Sequence, residues 1–308
     1  MWRHFCNVFC LLLLQVVFRP VQVYCESPTA DASAALGRYY FENGKPEEAR
    51  VQLEQAVRLR PAQPDYQAAL AEVELSLGNA EAAIRYFEAA LKLDPTRATA
   101  RSKLAQLYWS LGRDKEVLRT LRVRNAPVPL RNLWQFTRGL SLFRLGRLQE
   151  ARREFLPLVD HLEFAAPANF FLGRIAYAQN RFPEALRFFA KAVRKAQSQG
   201  LKSAGEYSYD YGLTLFRLGR YAEARIQFAL STSAHPLNPS PWMMRGRCEE
   251  EIGNFAAAIT NYEESIRVDP KFERSYYHLA RLHQRYGDRK RAAELFHKLE
   301  KRAHEGTQ

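Results

Sequence analysis

Cysteine is scarce where it could shape a fold. The 308-residue chain has four, but Cys6, Cys10 and Cys25 fall within the first 25 residues, which leaves Cys248 alone in the remainder. One thiol makes no internal disulfide, so no oxidised framework holds the molecule together. Long apolar stretches are lacking as well. The run from Phe5 to Phe18 is fourteen residues, short of the roughly 20 that a membrane-crossing helix needs. It follows Arg3 and His4 and ends before Pro20, the layout of an export leader. Cleavage after Cys25 is the first expectation. Retention as an anchor by residues 5–18 ranks behind it, and lipidation at Cys25, beside the bulky Tyr24, ranks last.

Catalytic signatures are missing too. No glycine-rich phosphate loop is present, and no serine sits in a nucleophile elbow. His278 and His283 are five residues apart and do not share a helix face well enough to hold a metal. His161, His235, His297 and His304 stand alone, and Glu249, Glu250 and Glu251 read as a solvated acidic run. Cys248 has no base beside it and reads as a buried, inert thiol. The expectation is a protein that is not an enzyme and carries no cofactor or metal.

What the chain does contain is repetition. LFRLGRLQEARREF, from Leu142 to Phe155, returns as LFRLGRYAEARIQF from Leu215 to Phe228, 73 residues on. That separation is two periods of 34 plus an insertion of five. Taking 34 as the period, units begin at Ala30, Pro64, Ala98, Asn132, Ala166, Gly205, Pro239 and Glu273. The extra five residues fall in the stretch AQSQGLKSAGEY.

Small and large residues test this register. Position 8 holds Gly37, Ala71, Ala105, Gly139, Gly173, Gly212, Gly246 and Ala280, and position 20 is alanine in every unit except for Val117. Position 24 is always large: Leu53, Phe87, Leu121, Phe155, Phe189, Phe228, Tyr262 and Phe296. Position 15 is glycine in seven units and Asn180 in the fifth. Apolar residues at positions 4, 7, 8 and 11, then 20, 24 and 27, follow helical spacing. A residue tolerant of the left-handed conformation at 15 divides the two helices. Pro61, Pro95, Pro129, Pro236 and Pro270, at position 32, are expected to stop the second helix. Arg124 and Leu158 at position 27, and Arg138 at position 7, fit the pattern least well, so packing is expected to loosen in units 3 and 4.

These positions resemble the tetratricopeptide repeat (TPR). The resemblance implies an all-α TPR solenoid, a right-handed superhelix of antiparallel helix pairs. It covers repeats near 30–63, 64–97, 98–131, 132–165, 166–199, 205–238, 239–272 and 273–306, a single array over 26–308 behind a leader at 1–25. It also implies that positions 2, 5, 9, 12 and 13 line a concave groove. Those positions carry Trp109, Phe136, Phe143, Phe170, Tyr177, Tyr209 and Phe216, with Arg144, Arg174, Arg217, Arg247 and Arg281 beside them. Rings and guanidinium groups suit recognition of a protein segment bearing acidic groups. The Lys and Asn set with which one branch of the family clamps a C-terminal carboxylate is absent.

Charge is unevenly spread. Of the formal +13, residues 26–96 contribute −5 and residues 97–154 contribute +10. The expected function is a non-enzymatic scaffold that binds a partner protein or peptide in the groove of an exported array. The alternatives are a binder of anionic envelope polymer or lipid through basic units 3 and 4, and a regulatory subunit of a separate enzyme. Membrane-surface association fits the second of these. Nucleic acid is not an expected partner, because acids interleave the basic stretch from Arg281 to Arg302. Leu295 and Leu299 on the last helix are expected to be exposed, with fraying or a homodimer contact there.

Overall fold

The computed structural model describes residues 29–122 and 126–305, with side chains as far as Lys301. The leader region and Arg124 lie outside the described residues. Those described form sixteen α-helices and no strand. They are α1 Ala30–Glu42, α2 Pro46–Leu59, α3 Pro64–Ser76, α4 Ala80–Leu93, α5 Ala98–Ser110, α6 Asp114–Thr120, α7 Val128–Arg144 and α8 Leu148–Phe155. After a single 3-10 turn at Leu156–Leu158 come α9 Ala165–Ala178, α10 Phe182–Ser198, α11 Ala204–Arg217 and α12 Tyr221–Ala234. The last four are α13 Pro239–Ile252, α14 Phe255–Val268, α15 Glu273–Arg285 and α16 Arg289–Glu305. The fold is all-α, built of consecutive helical hairpins.

The turn inside each hairpin follows from one residue. Gly146 has φ 72°, and Asn180, the one non-glycine at this place, has φ 57°. Both lie in the left-handed region, where glycine is unstrained and asparagine tolerated. The amide of the next residue then bonds back into the first helix, as Arg147 does to the Leu142 carbonyl at 2.9 Å.

Close approach of the paired helices has an equally local cause. A Cβ placed on Gly139 would lie 2.6 Å from the Phe155 ring, and one on Gly173 would lie 2.7 Å from Phe189. Glycine at position 8 therefore makes room for the ring at position 24, and the rings of Phe155, Phe189, Phe228 and Tyr262 are essentially buried. Alanine at position 20 completes the contact, with Ala151, Ala185, Ala224 and Ala258 fully enclosed.

The chain forms two compact units, up to Leu104 and from Ala105 onward. The first has its own core of Ala34, Ala49, Leu53, Tyr66, Leu70 and Val73. In the second, one core gathers around Phe155, Leu158, Leu172 and Ile175. Another surrounds Phe228, Tyr262, Leu279 and Leu282. Within a unit, first helices also touch one another: α1 with α3, α9 with α11, and α13 with α15.

Four expectations change. Glu249 is not solvated: it is buried and accepts from Asn254 Nδ2 at 3.2 Å, because it lies on the inward side of α13. Pro129 does not stop a helix: α6 ends at Thr120, and Pro129 occupies the first turn of α7, where its missing N–H is harmless. The helix of unit 4 thus starts at Val128, four residues before the repeat register places it. Packing does not loosen at Leu158 or Arg138. Leu158 is fully buried in the 3-10 turn. The Arg138 side chain donates to Glu154 at 2.9 Å and to the Leu121 carbonyl at 3.1 Å. Leu295 is not exposed either; it is buried in the last core, with Leu299 partly buried against it.

Candidate partner-binding face

In the second unit, the first helices bring the arginines onto the rings. The Arg144 guanidinium lies 4.9 Å from the Trp109 ring centre, Arg174 5.3 Å from Phe143, and Arg247 4.5 Å from Phe216. Arg217 Nε donates to the Tyr177 hydroxyl at 3.4 Å. In each case the ring stands at position 12 of one hairpin and the arginine on the first helix of the next. Each guanidinium–ring contact is worth about 0.5–1 kcal/mol where exposed. Arg281 instead covers Tyr277, four residues earlier on its own helix, at 5.7 Å.

A carboxylate ties down one of these arginines and stands near another. Asp114, buried at the start of α6, accepts from Arg144 Nη2 at 2.6 Å and Nε at 3.1 Å, while Nη2 also donates to the Trp109 carbonyl at 2.8 Å. Arg174 Nε stands 3.6 Å from Asp210.

The aromatics expected on one face divide into two sets. Trp109, Phe143 and Phe216 remain half-buried beneath their arginines, and Tyr177 is half-buried with its hydroxyl meeting Arg217. The position-5 rings lean instead on the ring at position 24 of their own hairpin. Phe136 meets Phe155 at 5.7 Å, Phe170 meets Phe189 at 5.9 Å, and Tyr209 meets Phe228 at 5.7 Å. For Phe170 this is a correction: it is 9% exposed and stacks on Tyr207 at 4.3 Å, so its ring serves the core. Position 5 lies one turn before the position-8 glycine, which directs its side chain toward the ring that this glycine admits. Arg144, Arg174, Arg217 and Arg281 are exposed and Arg247 is half-buried.

Two cavities were not anticipated. One, of about 210 Å³, is lined by Phe143, Arg174, Tyr177, Ala178, Phe189, Asp210 and Leu213. Burial holds the Asp210 carboxyl above the usual carboxylate range, against the opposing pull of Arg174. The signal in the sequence was an aspartate at position 6, facing hairpins otherwise rich in rings. The other, of about 380 Å³, lies in the first unit, where Ala68 and Ala69 leave open space between Phe41 and the Arg97–Asp65 pair at 2.7 Å. Ala68 holds position 5, which carries a ring in the fourth, fifth and sixth repeats.

Near the end of the second unit, His278 stacks on Tyr262 at 5.7 Å. Burial first, then the fields of Arg247, Arg281 and Arg274, push its pKa from 6.5 down to about 4. Cys248 is fully buried, and burial drives its thiol up to about 12. Among the described residues no group of three metal-ligating side chains is found, and no helix is long and apolar enough to cross a membrane. Much of the positive charge around residues 97–154 is already matched: Lys103, Arg138, Arg147 and Arg152 hold Glu72, Glu154, Glu150 and Glu184 at 2.6–2.9 Å.

Comparison with known proteins agrees with this architecture. A tetratricopeptide repeat model matches residues 34–98, 136–200 and 193–239, more than half of the chain, and two further models of the same repeat match 74–135 and 239–272. The chain belongs to the tetratricopeptide repeat family. Over 101 residues, 33% of its length, it is 30% identical to the TPR repeat-containing thioredoxin TTL4 of Arabidopsis thaliana. It spans only 14% of that protein. Among solved structures, a tetratricopeptide repeat protein from Parabacteroides merdae matches 82% of this chain and 98% of its own, with TM-score 0.56 at 16% identity. The APC/C hetero-tetramer Cut9–Hcn1 matches 90% of this chain and 52% of its own, with TM-score 0.54 at 16% identity. A MamA double mutant matches 56% of this chain and 93% of its own, with TM-score 0.51 at 19% identity. At these identities the structures speak for the fold alone. Fold and family together support a protein-interaction scaffold, since tetratricopeptide repeats generally bind peptides or proteins.

Proposed function

We propose that this protein is a non-catalytic scaffold whose eight repeats hold an extended, acidic segment of a partner protein along the first helices of the second unit. One observation carries the reading: the succession of ring and guanidinium contacts at Trp109–Arg144, Phe143–Arg174, Tyr177–Arg217 and Phe216–Arg247. A guanidinium held against a ring face, or against a tyrosine hydroxyl as Arg217 is, is already partly ordered, so less freedom is lost when its N–H edge meets a carboxylate. Arg217 and Arg247 have no carboxylate partner among the described residues and are the two arginines best placed to take one. The half-buried rings beneath supply rigid apolar area.

Export, read from residues 1–25, places that partner outside the cytosol in this proposal. Affinity capture from an envelope or secreted fraction, with the partner identified by mass spectrometry, tests the whole reading. Substituting Arg217→Gln together with Arg247→Gln should weaken the captured partner about tenfold or more. Unchanged affinity in that double variant rejects the assignment. Binding of an anionic polymer or lipid by the basic stretch is the weaker alternative, because carboxylates already occupy many of its cations. A regulatory subunit would reveal itself by an enzyme in the captured fraction.

A further inference from the structure

The cavity between α9 and α11 has a composition that selects an occupant. Phe143, Tyr177, Phe189 and Leu213 form apolar walls, and Arg174 and Asp210 supply the polar groups. At about 210 Å³ it has room for one large side chain, and it falls below the roughly 300–1,000 Å³ usual for a cofactor or drug-sized ligand. The Arg174–Asp210 separation of 3.6 Å is too long for a good hydrogen bond. Among the described residues no other side chain donates to the Asp210 carboxylate, so it keeps acceptor capacity toward the cavity. Its raised titration is the signature of burial without full compensation.

Four classes of side chain can be tried in turn. A lysine would face Arg174, and a carboxylate would face Asp210. An aliphatic chain would bury the carboxylate with nothing donated to it, which is costly. An aromatic ring bearing a donor suits these groups: its faces and edges meet the apolar walls beside the Arg174 guanidinium, and its O–H or N–H donates to Asp210. We infer that this cavity receives one tyrosine or tryptophan side chain of the partner segment as an anchor. The inference rests on the binding face proposed above and names one residue class of what binds there.

Ligand-detected NMR on the full chain tests it, with N-acetyl-tyrosinamide, N-acetyl-tryptophanamide, N-acetyl-phenylalaninamide and N-acetyl-lysinamide as probes. The tyrosine and tryptophan amides should bind about tenfold more tightly than the phenylalanine amide, the value of one hydrogen bond to a charged group. The lysine amide should not bind. Asp210→Leu should erase the preference for a donor while keeping the phenylalanine amide. Leu213→Trp, which fills the cavity from within, should abolish all three and serves where Asp210→Leu fails to fold. Equal binding of phenylalanine and tyrosine amides overturns the inference. Free tryptophan is run as a fifth probe, and its binding more tightly than N-acetyl-tryptophanamide also overturns the inference by marking a small-molecule site. A captured partner should also lose affinity for Asp210→Leu. If it does not, yet falls with Arg217→Gln and Arg247→Gln, the anchor is wrong and the binding face stands. If neither change matters, both fail.

Discussion

A glycine that faces a ring is a packing residue before it is a flexible one. Gly173 sits in regular helix, and an added methyl would meet the Phe189 ring at 2.7 Å. Gly173→Ala should therefore destabilise by about 1–3 kcal/mol, read as a lower urea midpoint with little change in slope. His278 makes a different demand. Its imidazole stays neutral in the folded protein down to about pH 4, whereas in the unfolded chain it binds a proton below about 6.5. The stabilising contribution is thus fully present above pH 6.5 and is lost as pH falls toward 4. Allowing for solvent screening, the loss should be about 1–2 kcal/mol. His278→Gln should flatten that part of the stability profile, which thermal melts between pH 4 and 7 will show. Cys248, with its thiol pushed up to about 12 and fully buried, should resist alkylation in the native protein and react at the unfolding rate. Alkylation as fast as that of a free thiol would place it at the surface instead.

At the scale of elements, the middle of the chain departs from the regular hairpin. Helix α6 has seven residues and α8 has eight, where other second helices have fourteen or seventeen. Short helices bury little by themselves and depend on neighbours. The 3-10 turn after α8 supplies part of what is missing by placing Leu158 inside the core with Leu172 and Ile175. Leu158→Ala should cost about 2–5 kcal/mol, as in a full-length helix, despite lying in a single turn. A loss below 1 kcal/mol by chemical denaturation would mean that the segment is not part of the cooperative core. On the final helix Leu295 packs against the preceding helices, with Phe296 and Leu299 partly buried beside it.

For the molecule as a whole, the relevant property is charge carried in excess of pairing. The formal net charge is +13, and surface ion pairs on the described residues neutralise locally without changing that sum. An acidic partner should therefore associate quickly at low salt and lose affinity as salt rises, chiefly through its association rate. Stopped-flow association measured between 50 and 300 mM salt checks this; a flat rate would shift the weight to the apolar contacts. The anchor residue, by contrast, should act on the dissociation rate.

How much of this could be read in advance follows from geometry. The family, the helix pairs and the small–large partnership of positions 8 and 24 were legible, because each depends on spacing within one hairpin or on a backbone angle only glycine or asparagine accepts. Pro129 misled for the same reason: proline is as welcome in a helix's first turn as it is beyond a helix's end, and sequence alone does not separate the two. The ring and arginine face proposed for binding was legible as a set of positions but not as an arrangement. That Arg174 crosses to Phe143, that Phe170 turns inward to Tyr207, and that Asp210 stands at a cavity rather than in solvent all depend on side chains from different hairpins meeting. Spacing along the chain dictates what a helix presents; only packed neighbours decide what covers it, and so which of its groups remain free to bind.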